Sequence, residues 1–106
     1  MKLMPKSVAK ALEKHPLYST INGSDAEVIV RYFNPCGTGT WLITEGSLQE
    51  NGDWLLYGCA LVNSDLWEWG YFLLSELESV RLPFGLRIER DLYLTPGTTV
   101  IKEMFS

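Results

Sequence analysis

Apolar runs in the middle of the chain predict four consecutive β-strands. The runs are rich in β-branched and aromatic residues, and turn-forming residues separate them. The predicted strands are Glu27–Phe33, Thr40–Glu45, Trp54–Val62 and Trp67–Leu74. The turns between them are too short for crossover helices, so we expect an antiparallel meander. Asn51-Gly52, a strong hairpin signal, lies between the second and third strands.

Short helices are predicted at both ends of this meander. The first spans Pro5–Lys14 and places Val8 and Leu12 on one face, which we expect to dock on the body of the protein. Three lysines spaced four residues apart form a basic ridge on a second face: Lys6, Lys10 and Lys14. A second helix is predicted over Ser75–Val80, where Ser75 and Glu78 have the spacing of a capping box.

The remaining segments complete the predicted fold. Ser19–Glu27 is rich in turn formers and is predicted as a loop, Leu86–Leu94 as a fifth extended segment, and 96–105 as a turn and a short helix. At 106 residues the chain suffices for one domain that buries roughly 65% of its unfolded surface. We therefore predict a single α+β domain, residues 1–106. Its antiparallel sheet has four or five strands, with two or three short helices packed mainly on one face.

Composition and charge narrow the class of protein. No apolar run approaches the roughly 20 residues that span a bilayer, and charged residues and Pro5 stand where a signal peptide needs an apolar core. A cytoplasmic protein is expected. The net charge of −4 combines +3 over residues 1–14 with −7 over residues 15–106. An acidic body of this kind disfavours binding to nucleic acid, which requires basic groups to replace counterions.

Residues that commonly carry chemistry do not form a recognisable pattern. Cys36 and Cys59 lack CxxC spacing and a nearby histidine, so neither a zinc site nor a disulfide framework is indicated. Acidic residues lie along the predicted turns, but their spacing fits no EF-hand: Glu45, Glu50, Asp53, Asp65 and Glu68. We expect no metal, no cofactor and no catalytic residues.

Leu86–Leu94 has an unusual arrangement of charges. In an extended segment alternate side chains share a face, which places Arg90 among leucines and Ile88. A guanidinium cannot be neutralised, so a buried Arg90 needs a carboxylate or carbonyl partner. Glu45, Glu76 and Glu78 are the available carboxylates, and we predict a structural ion pair between Arg90 and Glu76 in preference to the other two. An arginine that binds an anion in a pocket, or simple exposure, is the alternative.

Aromatic residues on the fourth strand give a second candidate surface. Trp67, Trp69 and Tyr71 share one face, and Trp54 lies on the third strand. These rings belong either to the core or to a surface that binds a partner, because Trp and Tyr dominate binding hot spots.

The segments GYFLLSELESVRLPFGLRIERDLYL (Gly70–Leu94), TWLITE, LLYGCALV and LYST together resemble domain-of-unknown-function family 2958. The resemblance covers about residues 3–96. It implies a bacterial or mobile-element context, such as plasmids and phages, and a single α+β domain. It brings no established catalytic residues. The turn NPCGTG before Trp41 departs from the family's pattern.

These observations lead to a hypothesis of a non-enzymatic accessory protein of a bacterial mobile element that contacts a host or element-encoded protein, for example in replication, transfer or defence. The alternative is a protein or enzyme that binds a small anionic ligand, such as a nucleotide, around Arg81, Arg87 or Arg90. Self-association through an uncovered strand edge is a third hypothesis. The candidate binding residues are Arg81, Arg87, Glu89, Arg90, Trp67, Trp69 and Tyr71.

Overall fold

A single five-stranded sheet organises the computed structural model, which describes residues 1–19, 23–63 and 65–106. The strands are β1 (Val30–Phe33), β2 (Thr40–Leu48), β3 (Trp54–Leu61), β4 (Glu68–Leu73) and β5 (Glu89–Arg90). Their order is β4-β3-β2-β1-β5, and every neighbouring pair is antiparallel. The predicted meander is confirmed for β1 to β4, and β5 returns to pair with β1.

Three short helices flank the sheet: α1 (Lys6–Glu13), α2 (Leu74–Ser79) and α3 (Val100–Met104). α1 and α2 contribute Val8, Leu12, Leu74 and Leu77 to one core, together with Tyr32 of β1. We call this side of the sheet the first face. The three lysines of the predicted ridge are exposed, as expected for a face of α1 turned away from that core. The prediction of an α+β fold with a few short helices is confirmed.

A second, smaller core lies on the opposite side of the sheet, the second face. Its buried members are Ala26, Val28, Leu42, Cys59 and Val100. Segment 26–28 reaches this core by pairing with the residues that precede α3: the Val28 N–H donates to the Thr98 carbonyl at 2.8 Å. The predicted first strand therefore enters the sheet at Val30 and not at Glu27.

The pairing of β2 with β3 contains an irregularity that reorients one side chain. The register shifts between Ile43 and Glu45, so Ile43 is opposite Gly58 while Glu45 is opposite Tyr57. A bulge of this kind moves the following residue to the other face of a strand. Gly58 permits the close approach, because a Cβ there would lie 2.0 Å from the Leu42 carbonyl oxygen.

The β2–β3 hairpin forms where predicted, with a longer loop than its Asn-Gly signal suggests. The Gln49 N–H donates to the Asp53 carbonyl at 2.8 Å, which leaves residues 50–52 as the loop. Gly52 has a φ of 87°, the left-handed conformation that a three-residue hairpin loop requires at this position.

The fifth strand is much shorter than predicted. Only Glu89–Arg90 pairs with β1, and the expected alternation over Leu86–Leu94 ends at Asp91. The Asp91 carboxylate accepts a hydrogen bond from the Tyr93 N–H at 2.8 Å and so closes a local turn. Leu92 and Tyr93 are exposed as a result.

The start of α2 also differs from prediction. The expected Ser75–Glu78 capping box is wrong: Glu76 Oε1 accepts a hydrogen bond from the Leu73 N–H at 3.2 Å, and α2 begins at Leu74. Ser75 is bonded instead to Asp53 of the β2–β3 turn. Within the predicted loop Ser19–Glu27, positions 20–22 lie outside the described residues, and Gly23–Asp25 forms a single 3₁₀ turn.

Candidate functional site

Four aromatic rings form a row on the second face, which we call the aromatic surface: Tyr18, Tyr57, Trp69 and Tyr71. Tyr57 and Tyr71 are directly opposed on β3 and β4, with ring centroids 4.9 Å apart. The Tyr57 ring stacks on Trp69 at 5.6 Å, and Tyr18 lies 6.5 Å from Tyr71 at the other end. These separations fall within the range of favourable aromatic pairs. Trp69 is 39% exposed, Tyr71 50% and Tyr18 79%.

Three hydrogen bonds fix the segment that carries Tyr18 against β2. The Leu17 N–H donates to Ser47 Oγ at 3.1 Å, and the Tyr18 N–H donates to Glu45 Oε1 at 2.9 Å. The Gly46 N–H donates to the His15 carbonyl at 3.1 Å. Tyr18 has a φ of 69°, a left-handed conformation that costs a non-glycine residue about 1 kcal/mol. Because Glu45 binds the main chain at this point, Tyr18 is held beside Tyr71.

Glu45 places a carboxylate beneath the aromatic surface. It is only 3% exposed and reaches this face through the β2 bulge. Burial raises the pKa of Tyr71 above its ordinary value, and the proximity of Tyr18, Tyr57 and Glu45 raises it further. The Tyr71 phenol is therefore neutral near pH 7, and Glu45 supplies the negative charge at the aromatic surface.

The strands that carry the aromatic surface are acidic. From Tyr32 to Val80 the sequence contains no lysine, arginine or histidine, and it contains seven acidic residues. These are Glu45, Glu50, Asp53, Asp65, Glu68, Glu76 and Glu78. The negative charge of the body is thus concentrated in β2, β4, α2 and the turns between these elements, and this half of the sheet would attract a cationic group.

The outer edge of β4 is the longer of the two edges of the sheet, six residues against two for β5. In an antiparallel pair, residues alternate between those bonded to the neighbouring strand and those whose N–H and C=O point outward. The Leu73 N–H donates to Glu76 and therefore faces outward. By this alternation the main-chain groups of Trp69 and Tyr71 also point away from β3.

The predicted aromatic residues divide between core and surface. Trp67 precedes β4 and packs partly buried against the second core, and Trp54 packs against the first. Trp69 and Tyr71 are exposed. Sequence reasoning missed Tyr57, because β3 is apolar on both faces and its alternation is hidden. It also missed Tyr18 and Glu45, which reach the surface through a loop and a bulge.

The predicted arginines do not converge. Arg87 donates to the Glu78 carbonyl at 3.1 Å, while Arg90 Nε donates to the Lys2 carbonyl at 3.3 Å. Arg81 is exposed, and Glu89 lies opposite Phe33 in the β1–β5 pair. Arg87 and Arg90 therefore bind different parts of the chain.

The predicted ion pair between Arg90 and Glu76 is not formed in the described residues. Glu76 follows β4, at one edge of the sheet, and caps α2; Arg90 belongs to β5, at the opposite edge. The ion pair found within the described ranges joins Arg31 to Asp91 at 3.3 Å. Arg90 is half-buried and its guanidinium is bound by a carbonyl group, the second type of partner that such a group can use.

A groove of about 270 Å³ borders Arg90, between α1 and the segment after β5. Val8, Ala11 and Val30 supply apolar walls. Glu27 and Asp91 line the same groove, so two acidic residues accompany one arginine there. This balance of charge does not suit an anionic ligand.

The cysteines are free thiols in different surroundings. Cys59 is buried in the second core, and burial raises the pKa of its thiol. Cys36 is exposed in the turn after β1, where its N–H donates to Asn34 Oδ1 at 2.7 Å. Within residues 1–19, 23–63 and 65–106, no three side chains of His, Cys, Asp or Glu gather as metal ligands would.

Comparison with known proteins identifies one family. A family model described as "Protein of unknown function (DUF2958)" matches residues 3–102. Neither the curated proteins nor the solved structures contain a match. In the part of the chain that the structure describes, no helix has the length and apolar character needed to cross a membrane.

Proposed function

The chain belongs to the DUF2958 family, proteins of unknown function, and from this premise we propose that it is a non-enzymatic protein-binding module, an accessory protein of a bacterial mobile element. The aromatic surface contacts the partner, and the partner presents basic side chains to it. The observation that carries this proposal is the row of four rings on an exposed part of the second face.

Exposure of these rings is unusual for a surface without a binding role. Large apolar side chains grouped on one face of a monomer commonly mark interaction sites, and Trp and Tyr are enriched in binding hot spots. Only part of the second face is covered, because α3, the helix that packs against the second core, has just five residues. Trp69 and Tyr71 are therefore available to a partner.

The charge of the surroundings indicates the chemistry of the partner. Lysine and arginine side chains bind to the faces of Trp and Tyr rings, and each such contact contributes about 0.5–2 kcal/mol. Glu45 lies beneath the rings, and Glu68 precedes Trp69 in β4 with its side chain on the first face. Since the sequence from Tyr32 to Val80 has no basic residue, a basic segment meets no repulsion there.

The alternative of a small anionic ligand has less support from the geometry. Arg87 and Arg90 each donate to a main-chain carbonyl, and two acidic residues line the groove beside Arg90. These contacts leave no cluster of cationic groups around one cavity in the described residues.

Titration with defined peptides tests the proposal. A blocked heptapeptide of alternating arginine and valine is compared with one in which glutamate replaces arginine, with tryptophan fluorescence as the signal. We expect only the basic peptide to bind, more weakly as salt increases. Tyr71→Leu should weaken binding roughly tenfold, the typical effect of truncating a hot-spot residue.

Tyr93→Leu is the matched control. Tyr93 is 91% exposed in the turn after β5, and the same substitution there removes a ring outside the aromatic surface. Its affinity for the basic peptide should equal that of the wild type. Equal binding by Tyr71→Leu and Tyr93→Leu would refute the proposed function.

A further inference from the structure

The six-residue outer edge of β4 can hold the main chain of a partner. We propose that the partner segment adds to β4 as an extended strand in which basic and apolar side chains alternate. This inference rests on the proposed function and specifies the conformation and the sequence pattern of the partner.

Main-chain hydrogen bonds would hold the added strand against β4. By the alternation of the β3–β4 pair, the N–H and C=O groups of Trp69 and Tyr71 point outward from β4, and among the described residues no main-chain hydrogen bond outside the strand pairing involves them. Unpaired groups of this kind on an exposed edge form a template for a further strand. An added strand would extend the sheet from five strands to six.

Side chains that point to the second face would meet the aromatic surface. Cross-strand neighbours lie about 5 Å apart, so alternate residues of the added strand would lie beside Trp69 and Tyr71. Arginine is favoured at these positions, because its planar group stacks on aromatic rings and the Glu45 carboxylate interacts with Tyr71 on this face.

Side chains that point to the first face would meet a different environment. A groove of about 330 Å³ lies there, between the end of β3 and β4. Val62, Leu66 and Phe72 supply its apolar walls, and Asn63 and Glu68 line its polar end. Gly70 lies in the centre of β4 and has no side chain to fill this space. Aliphatic residues of moderate size, such as valine, suit these positions.

A second copy of this chain matches the edge less well than a basic strand. The β4 sequence of a copy, Glu68-Trp69-Gly70-Tyr71-Phe72-Leu73, would bring glutamate and no basic residue to an already acidic edge. Complementarity of charge therefore favours a cationic segment from another protein.

The test uses the blocked heptapeptide of alternating arginine and valine and three relatives of it. One has the same composition with the four arginines grouped before the three valines. The other two carry N-methyl groups on alternate amides, one set for each edge of the peptide strand. Amide hydrogen exchange at Trp69 and Tyr71 and the dissociation constant are measured for each peptide.

We expect the alternating peptide to slow exchange at Trp69 and Tyr71 and to bind more tightly than the grouped one. One of the two methylated peptides should bind roughly tenfold or more weakly, because it loses several main-chain hydrogen bonds, and the other should be little changed. Gly70→Leu should also weaken binding. A Cβ at position 70 would meet only Phe72 Cζ, at 3.8 Å, so we expect the variant to fold, and thermal melting checks this.

The outcomes separate the two proposals. If both methylated peptides bind equally well and Tyr71→Leu still weakens binding, strand addition is overturned and the proposed function remains. Binding that is also insensitive to Tyr71→Leu would overturn both. Slow exchange at Trp69 and Tyr71 in the free protein, with sedimentation as a dimer, would place a second copy on β4 and overturn the inference.

Discussion

The carboxylate of Asp53, in the turn between β2 and β3, accepts hydrogen bonds from both the hydroxyl and the main-chain N–H of Ser75 in the first turn of α2. The two residues are 22 positions apart, so this contact fixes the β2–β3 hairpin to the start of the helix. The hydroxyl of Ser75 lowers the pKa of Asp53 most; desolvation partly opposes it, and the N–H groups of Trp54 and Ser75 lower the pKa further.

Protonation of Asp53 in acid should therefore lower the stability of the protein. Since its folded-state pKa is below the unfolded value of about 3.9, its contribution to stability is complete above that pH and disappears as the pH falls through the folded-state pKa. Asp53→Asn should lower the melting temperature at pH 7 and reduce the difference between pH 7 and pH 3. Thermal melts at both pH values measure this. Asp25→Asn, at an exposed position, is the control, and an equal response in the two variants would contradict the prediction.

Gly58→Ala should destabilise the sheet strongly. The new Cβ would lie 2.0 Å from the Leu42 carbonyl oxygen, and this oxygen belongs to the main chain of a central strand. We expect a loss of at least about 2–3 kcal/mol, at the upper end of the cost of overpacking. Urea denaturation checks this, with Gly70→Ala as the matched control. Gly70 is the cross-strand partner of Gly58, and its Cβ would meet only Phe72 Cζ, at 3.8 Å.

Arg90→Met should destabilise the protein less than the removal of one partner of a buried ion pair would. Arg90 donates to the Lys2 carbonyl, and among the described residues no ion pair joins it to a carboxylate. We expect a loss of about 1 kcal/mol in urea denaturation, comparable to one hydrogen bond. A loss of several kcal/mol would indicate instead that a buried acidic partner had been stranded.

Tyr32→Phe should loosen the N-terminal segment. The fully buried Tyr32 hydroxyl donates to the Leu3 carbonyl at 2.7 Å, and its loss leaves a buried acceptor unpaired. We expect a cost of about 1–3 kcal/mol and faster amide exchange near Leu3. Tyr93→Phe, at an exposed position, should have little effect on either measurement.

Tyr32 should also make the stability of the protein sensitive to alkali. Burial raises the pKa of Tyr32 most; the charge of Arg90 lowers it, and that of Glu78 raises it. A raised folded-state pKa means that the stabilising contribution is complete below the unfolded value of about 10 and decreases as the pH rises beyond it. Denaturation from pH 8 to pH 11 should show a steeper decline in the wild type than in Tyr32→Phe.

Local patterns predicted most of the fold. The meander follows from apolar runs separated by turn residues, and the Asn51-Gly52 signal located the hairpin. The prediction failed where a side chain changed the main-chain path. The Asp91 carboxylate ends β5 by binding the Tyr93 N–H, and Glu76 in place of Ser75 caps α2. Alternation of apolar residues contains no information about such bonds.

The candidate site was only half predictable for a similar reason. Trp69 and Tyr71 follow from the alternation of β4, whereas Tyr57 lies in a strand that is apolar on both faces. Glu45 would share the face of Ile43 in a regular strand, and the bulge turns it to the second face. Tyr18 reaches the surface because Glu45 holds its N–H. These contacts depend on packing between distant segments.

The unequal edges of the sheet limit how copies of the protein could join. β5 offers two residues, and Arg90 is already bonded there to Met1 and Lys2. β4 alone has the length to accept a neighbouring strand. Growth into an open fibril requires two usable edges on each molecule, one for the preceding copy and one for the next. A molecule with one such edge terminates any edge-to-edge polymer after a single step, and high concentrations should produce pairs and not filaments.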